Sequence, residues 1–408
     1  MTTSHKPIVA EPVARPIKGV SLATACAAIK QTQRDDVALL ELGEGSSCAA
    51  VFTQNRFCAA PVAVAKRHLS QSTPRYLLIN SGNANAGMGE QGMVDALDSC
   101  QAVANQFACE KESVLPFSTG VIGERLAVGK ISSKLDQLAN GLSENNWPNA
   151  ARAIMTTDTV EKIASVELAC GDKTLSVTGM AKGSGMIHPN MATMLAYIAT
   201  DASVDEDLLS ACLNEAVAMS FNAITVDGDT STNDACVLMA SGCGEVSVES
   251  QDSSEYQALS EAISAVCQSL AQAIVADGEG ATCLVHVEVS GGQSQEECRQ
   301  VADTVALSPL VKTALFAQDP NWGRILAAVG RAGIDDLDAE QVSIYLDDVL
   351  IAERGARAAS YEEAAAKRVM EQKEYCLRIG LGRGSHESRV STCDLSYDYV
   401  RINAEYRS

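Results

Sequence analysis

Aromatic residues make up only 4% of this 408-residue chain, so its core volume must come mainly from Ala, Val, Leu and Ile. Basic residues are scarce as well: 31 Lys and Arg stand against 52 Asp and Glu, a formal net charge of −21. That balance argues against nucleic acid and against an anionic membrane surface, since both partners need Lys and Arg to meet their phosphates. None of the 14 cysteines has a C-x-x-C neighbour, which removes the usual zinc and thiol-redox motifs. They are scattered from Cys26 to Cys393 and sit in apolar runs, as at Cys212, Cys267 and Cys283, so they read as reduced core thiols of a cytoplasmic protein. The stretch from Met1 to Pro16 has no apolar segment of the secretory kind. No apolar run is read as reaching the roughly 18–20 residues of a membrane span.

What is there is ordinary for a globular protein: 46% hydrophobic and 20% charged residues. The length implies two or three domains. Short apolar runs read as strands at Val37–Leu42, Ala49–Phe52, Tyr76–Ile79, Ser165–Cys170, Ala235–Ala240 and Cys283–Val289. Three- and four-residue spacing predicts helices over Val94–Phe107, Asp205–Ser220 and Tyr256–Val275, and over Glu296–Phe316 with an interruption at Pro309. Strands interleaved with helices give an α/β, layered α+β architecture, with a further α/β module after residue 285.

The most informative stretch runs from Met180 to Leu195, MAKGSGMIHPNMATML. Two glycines flank Ser184, Pro189 stiffens the approach, and Ala192-Thr193 precedes the apolar run Met194–Ile198. This is a tight loop that delivers a hydroxyl to the start of a buried element. The same pattern also fits a plain turn before a core strand, with Thr193 as its cap.

The stretch is similar to the self-cleavage signature of ornithine acetyltransferases, the glutamate N-acetyltransferases of arginine biosynthesis. Asn80–Gly87, Phe117–Gly120, Thr156–Thr159, Asp227–Asp234, Asp277–Thr282 and Asn403–Ser408 resemble further blocks of that family in the same order, over nearly the whole chain. The resemblance implies cleavage at Ala192-Thr193, leaving residues 1–192 as an α chain. Residues 193–285 would complete the catalytic domain, and 286–408 would form a C-terminal α/β domain of the β chain. It implies a self-processing fold related to the L-aminopeptidase/D-esterase type.

Thr193 would then be nucleophile and, through its new α-amine, base; such an amine has an ordinary pKa of about 7.7–8.0. An acetyl group would pass from N2-acetylornithine to Thr193 and on to glutamate. Thr119, through its hydroxyl, and Gly120, through its N–H, would form the oxyanion hole. Thr156, Asn403 and Ser408 match substrate-contacting positions; Lys182 would hold a substrate carboxylate or lower the pKa of the Thr193 amine by repulsion, and Glu279 would bind the substrate's ammonium or assist proton transfer. The family needs no metal or organic cofactor and assembles as α2β2. Some members also accept acetyl-CoA; the N-terminal blocks lean toward that type without deciding it.

Other motifs were weighed against this reading. Paired acids after a strand, Asp227 and Asp229, resemble the nucleophile loop of a haloacid-dehalogenase-type phosphatase, but nothing else in the chain supports one. An EF-hand fails, because position six of the run is Thr232 and position twelve is Leu238. Asn80–Gly89 lacks a phosphate-loop pattern and any Lys or Arg, and reads as a turn shaping the site. The remaining alternative is an N-terminal-nucleophile aminopeptidase or amidase of related fold, which passes the acyl group to water. A non-enzymatic binding protein fits the intact Ala192-Thr193 pair poorly.

Overall fold

The computed structural model describes residues 8–30, 33–188 and 194–405. Ala192, Thr193 and Ser408 therefore lie outside the described residues. The chain divides into two compact units. The first takes in the described residues within Met1–Met186, Asn190–Asn222 and Asp229–Ile274; the second takes those within Ile187–Pro189, Ala223–Gly228 and Val275–Ser408.

In chain order the strands begin with β1 (Val20–Ala25), β2 (Val37–Leu42), β3 (Ser47–Phe52), β4 (Tyr76–Asn80) and β5 (Val114–Ser118). There follow β6 (Lys162–Cys170), β7 (Lys173–Lys182), β8 (Leu195–Thr200), β9 (Ser203–Val204), β10 (Ile224–Thr225), β11 (Ala235–Ala240) and β12 (Ser247–Val248). In the first unit β1-β2-β4-β5 form one sheet and β3-β11-β8-β7-β6 another, with β12-β9 as a small extra pair. All six residues of β8 and of β11 are buried, the mark of central strands covered on both faces.

Strand alternation assigns the faces. Ala38, Leu40 and Leu42 of β2 point into the core between the sheets, where they join Tyr197, Val237 and Met239 of the other sheet. Val37 and Leu39 point the other way, onto Ala96, Cys100 and Val103 of the helix Gly89–Phe107. Phe117 and Tyr197 meet edge to face across the gap, ring centroids 5.3 Å apart. On the outer side of the five-stranded sheet lies the helix Ser254–Ala276, and Gly179 of β7 makes room for it. A Cβ there would sit 2.8 Å from Val266 Cγ1. The first unit is thus four layers: helix, sheet, sheet, helix.

That helix corrects one expectation. By length and composition Ser254–Ala276 could cross a membrane. Its apolar face, including Leu259, Ile263, Val266, Leu270 and Ile274, is instead buried in the protein, while Gln257, Glu261 and Gln268 are exposed. An amphipathic core helix passes the same hydropathy test as a span.

The second unit is built on β13 (Leu284–Gly292), β14 (Ser343–Leu346), β15 (Val349–Glu353), β16 (Ala356–Arg357), β17 (Glu374–Gly380) and β18 (His386–Cys393). Together with β10 they form one sheet in the order β10-β18-β13-β17-β14-β15-β16. The break expected at Pro309 is present: helices Gln295–Ala306 and Pro309–Phe316 are separate, each capped by a serine hydroxyl, of Ser294 and Ser308. No cysteine pairs in a disulfide: eight of the fourteen are buried, five half-buried, and Cys243 is exposed.

Candidate active site

In the first unit three strand ends converge just after residue 193. Leu195, the first residue of β8, is in register with Lys182, the last of β7, on one side. On the other side it is in register with Ala235, the first of β11. The Ala235 N–H donates to the Met194 carbonyl at 3.1 Å. Lys182 is buried, and its charge acts on two carboxyl groups, Asp158 and Asp234.

Those two carboxyls are placed differently. Asp158 accepts from Lys162 Nζ at 2.8 Å, from the Gly183 N–H at 2.7 Å and from the Thr156 N–H at 3.0 Å. Burial alone would raise its pKa, but Lys182, Lys162 and these donors outweigh it and hold the carboxyl down at about 2. Asp158 thereby ties Thr156 to the Lys182–Gly183 end of β7, and Thr157 Oγ1 lies 2.7 Å from Ser184 Oγ in the same corner. Asp234 is 1% exposed, and burial pushes its carboxyl well above the ordinary range in spite of Lys182.

The Thr119–Gly120 loop is shaped by the polar stretch that begins at the end of β4. The Thr119 N–H donates to the Asn80 carbonyl at 2.9 Å, and Ser118 Oγ to Asn80 Oδ1 at 2.6 Å. Gly120 has φ +132°, and a Cβ on it would stand 2.3 Å from the Gly82 carbonyl carbon, so the loop admits no side chain there. Asn233 then joins this loop to β11: its Nδ2 donates to the Ser118 carbonyl at 2.9 Å and to the Ala84 carbonyl at 2.7 Å. Three consecutive residues do the linking. Asn233 holds the loop that carries Thr119 and Gly120, Asp234 accepts from the Met194 N–H, and Ala235 donates to the Met194 carbonyl.

Glu279 and Asn403 belong to the second unit and are brought together there, with Asn403 Nδ2 donating to Glu279 Oε2 at 2.8 Å. The contact depends on Gly280, at φ +71°, where a Cβ would lie 2.5 Å from the Tyr399 nitrogen. Ser396 caps the C-terminal helix Tyr397–Ala404 and donates its hydroxyl to the Gly280 carbonyl at 2.6 Å. The residues of the weighed phosphatase loop part company: Asp227 falls in the second unit, accepting from the Ile187 N–H at 3.0 Å, and Asp229 in the first.

Sequence reasoning missed Asp158, Lys162, Asn233 and Asp234 as members of this corner. Asn233 and Asp234 stood inside the acidic run that was weighed for other chemistry, and Asp158 stood inside a family block. A cavity of about 300 Å³ in the first unit, lined by Arg34, Asp35, Asn149, Arg152, Met155 and Glu161 among others, contains none of the expected site residues.

The ArgJ family model matches residues 21–408. The arginine biosynthesis bifunctional protein ArgJ of Methylococcus capsulatus is 57% identical over 393 residues, 96% of each chain. That of Pseudomonas fluorescens is 52% identical over 398 residues, 97% of this chain and 98% of its own. A crystal structure of the arginine biosynthesis bifunctional protein of Bacillus halodurans aligns at 37% identity with a TM-score of 0.49, over 52% of this chain and 98% of that one. On the extent of these matches, the chain belongs to the ArgJ family.

Proposed function

We propose that this protein is a self-cleaving glutamate N-acetyltransferase that moves the acetyl group of N2-acetylornithine to glutamate through an ester on Thr193. The Thr193 hydroxyl attacks the Ala192 carbonyl, the ester formed is hydrolysed, and chains of residues 1–192 and 193–408 result. The freed α-amine then serves as base to its own hydroxyl, as in other terminal-threonine catalysts. Acetyl transfer to Oγ1 releases ornithine, and the amine of glutamate takes the acetyl group in the second half.

The observation that carries this reading is the Asn233-Asp234-Ala235 link, which binds the Thr119–Gly120 loop on one side and Met194, the neighbour of Thr193, on the other. An oxyanion hole must stand at a set distance from its nucleophile, and a continuous hydrogen-bonded link is how a fold maintains one. Lys182 suits a substrate carboxylate, and Glu279 with Asn403 suits an ammonium group. Thr156 and Ser408 complete the proposed substrate contacts. Acetyl-CoA is a second donor in this reading, consistent with relatives named bifunctional. The two chains remain together as α2β2, without metal or organic cofactor, in the cytoplasm.

Intact-mass analysis of the purified protein with N-terminal sequencing tests the first step, and an assay of acetyl transfer to glutamate from each donor tests the second. Two chains, the second beginning Thr-Met-Leu-Ala, are expected. A single chain of 42.9 kDa would overturn the nucleophile. Release of acetate without N-acetylglutamate would favour the amidase alternative.

A further inference from the structure

Asp234 is a buried acid with one oxygen unaccounted for. Its carboxyl group is approached by the N–H groups of Met194 and Ser231 and by the Thr53 hydroxyl, yet Oδ2 makes no hydrogen bond among the described residues. The backbone around it is held in place. The Thr53 N–H donates to the Asp234 carbonyl at 3.0 Å, Thr53 Oγ1 donates to the Ser231 carbonyl at 2.7 Å, and Ala235 begins β11. A buried carboxyl oxygen left unbonded keeps its desolvation penalty uncompensated, and such a group in a native core calls for an explanation.

Its position supplies one. The carboxyl group is hydrogen-bonded to the nitrogen of Met194, and the nitrogen of residue 193 is three covalent bonds from that atom. We propose that Asp234 handles the proton of the residue-193 nitrogen, using Oδ2 for the transfer while its other oxygen holds Met194 in place. This rests on the reading of Thr193 above and names a group in that reaction that the sequence blocks do not single out.

The balance closes without another reactant. As Thr193 Oγ1 bonds to the Ala192 carbonyl carbon, the C–N bond to residue 193 breaks and Asp234 Oδ2–H gives its proton to the departing nitrogen. The proton lost from Oγ1 restores the carboxyl group, so no net proton is consumed. In acetyl transfer the same oxygen accepts a hydrogen bond from the α-amine or returns a proton to it.

The surroundings suit the role. Lys182, on the neighbouring end of β7, acts on Asp234 and also on Asp158. Two carboxyls flank one lysine, and their environments drive their proton affinities apart. Lys182, Lys162 and its donors hold the Asp158 carboxyl low, whereas burial pushes the Asp234 carboxyl well above the ordinary range. Such a separation distinguishes an acid from a fixed counter-ion.

The test is Asp234→Asn in the full chain, with wild type alongside and Asp234→Glu as the conservative variant. Asparagine keeps the acceptor for the Met194 N–H and the shape of the neutral acid, but has no proton to give. The expected results are a melting temperature at neutral pH no lower than wild type, chain cleavage at least tenfold slower by time-resolved intact mass, and partial recovery of the rate in Asp234→Glu. Cleavage and transfer at wild-type rates in Asp234→Asn would overturn the proposal and leave the Thr193 reading intact. Failure of Asp234→Asn to fold would overturn it too, because the charge would then be what the fold requires. Failure of wild type to cleave would sink the Thr193 reading and this inference together.

Discussion

The two units bury lysines in opposite ways. In the first, Lys162 meets Asp158 at 2.8 Å, both side chains 1% exposed, and Lys182 acts on the same acid from the end of β7. In the second, Lys312 is buried on the helix Pro309–Phe316. It donates to Thr392 Oγ1 at 2.8 Å and to the Cys393 carbonyl, with no carboxylate within ion-pair distance among the described residues. One arrangement gathers charges of both signs at converging strand ends. The other uses a single ammonium as a strut between a helix and β18. The lesson is that burial of a charge does not mark a site. What distinguishes the first unit is that two acids, Asp158 and Asp234, share one lysine and hold backbone N–H groups at Thr156, Gly183 and Met194, around the start of β8.

The sharpest break of the comparison is Thr193→Ala, which should abolish both cleavage and transfer, seen as one chain by intact mass and as no N-acetylglutamate in the assay. Lys312→Met in the second unit should leave cleavage in place, seen as two chains by intact mass.

Next in size, Thr119→Ala should lower kcat by about 10²–10³, the cost of one oxyanion donor. The melting temperature should barely move, because the Thr119 contact that shapes the loop is made by its backbone N–H. A large loss of stability would reassign Thr119 to the scaffold.

The lysines themselves come third. Lys162→Met leaves the buried Asp158 carboxylate without its ion-pair partner, so a loss of about 3 kcal/mol or more is expected from urea unfolding. Lys312→Met removes hydrogen bonds to neutral groups and leaves no stranded charge, so a smaller loss is expected. Equal losses would erase the distinction between the units.

Smallest and most specific is the pH dependence. The Asp158 carboxyl is depressed in the folded state, so its contribution is complete above its ordinary pKa of 3.8 and is lost as pH falls toward about 2. Asp234 runs the other way. Its carboxyl is raised in the folded state, folding takes up a proton, and its contribution declines as pH rises above the ordinary carboxylate range. Unfolding free energies measured across pH should show both slopes, and Asp234→Asn should remove only the second.

Much of this was legible in one dimension. Apolar runs and three-four spacing mark β2, β11 and the helices around Pro309 almost to the residue, because those elements bury one face or lie wholly inside. The strands Val20–Ala25 and Val114–Ser118 and the helix Ala60–Leu69 were not read out. They are short, rich in small or mixed residues, and earn their place through neighbours distant in sequence. The membrane-length helix shows the same limit, since hydropathy counts apolar residues and not what covers them.

The linear chain determined the family blocks, the Ala192-Thr193 pair, the candidate residues Thr119, Gly120, Thr156, Lys182, Glu279 and Asn403, and the acidic charge balance. Folding determined which of them meet, joining Thr156 to Lys182 through Asp158 and Glu279 to Asn403 directly. It also separated two aspartates that look alike in sequence, one with its carboxyl pKa held low and one with it pushed up. Proton affinity depends on burial and on charges close in space, and neither is written in the order of residues.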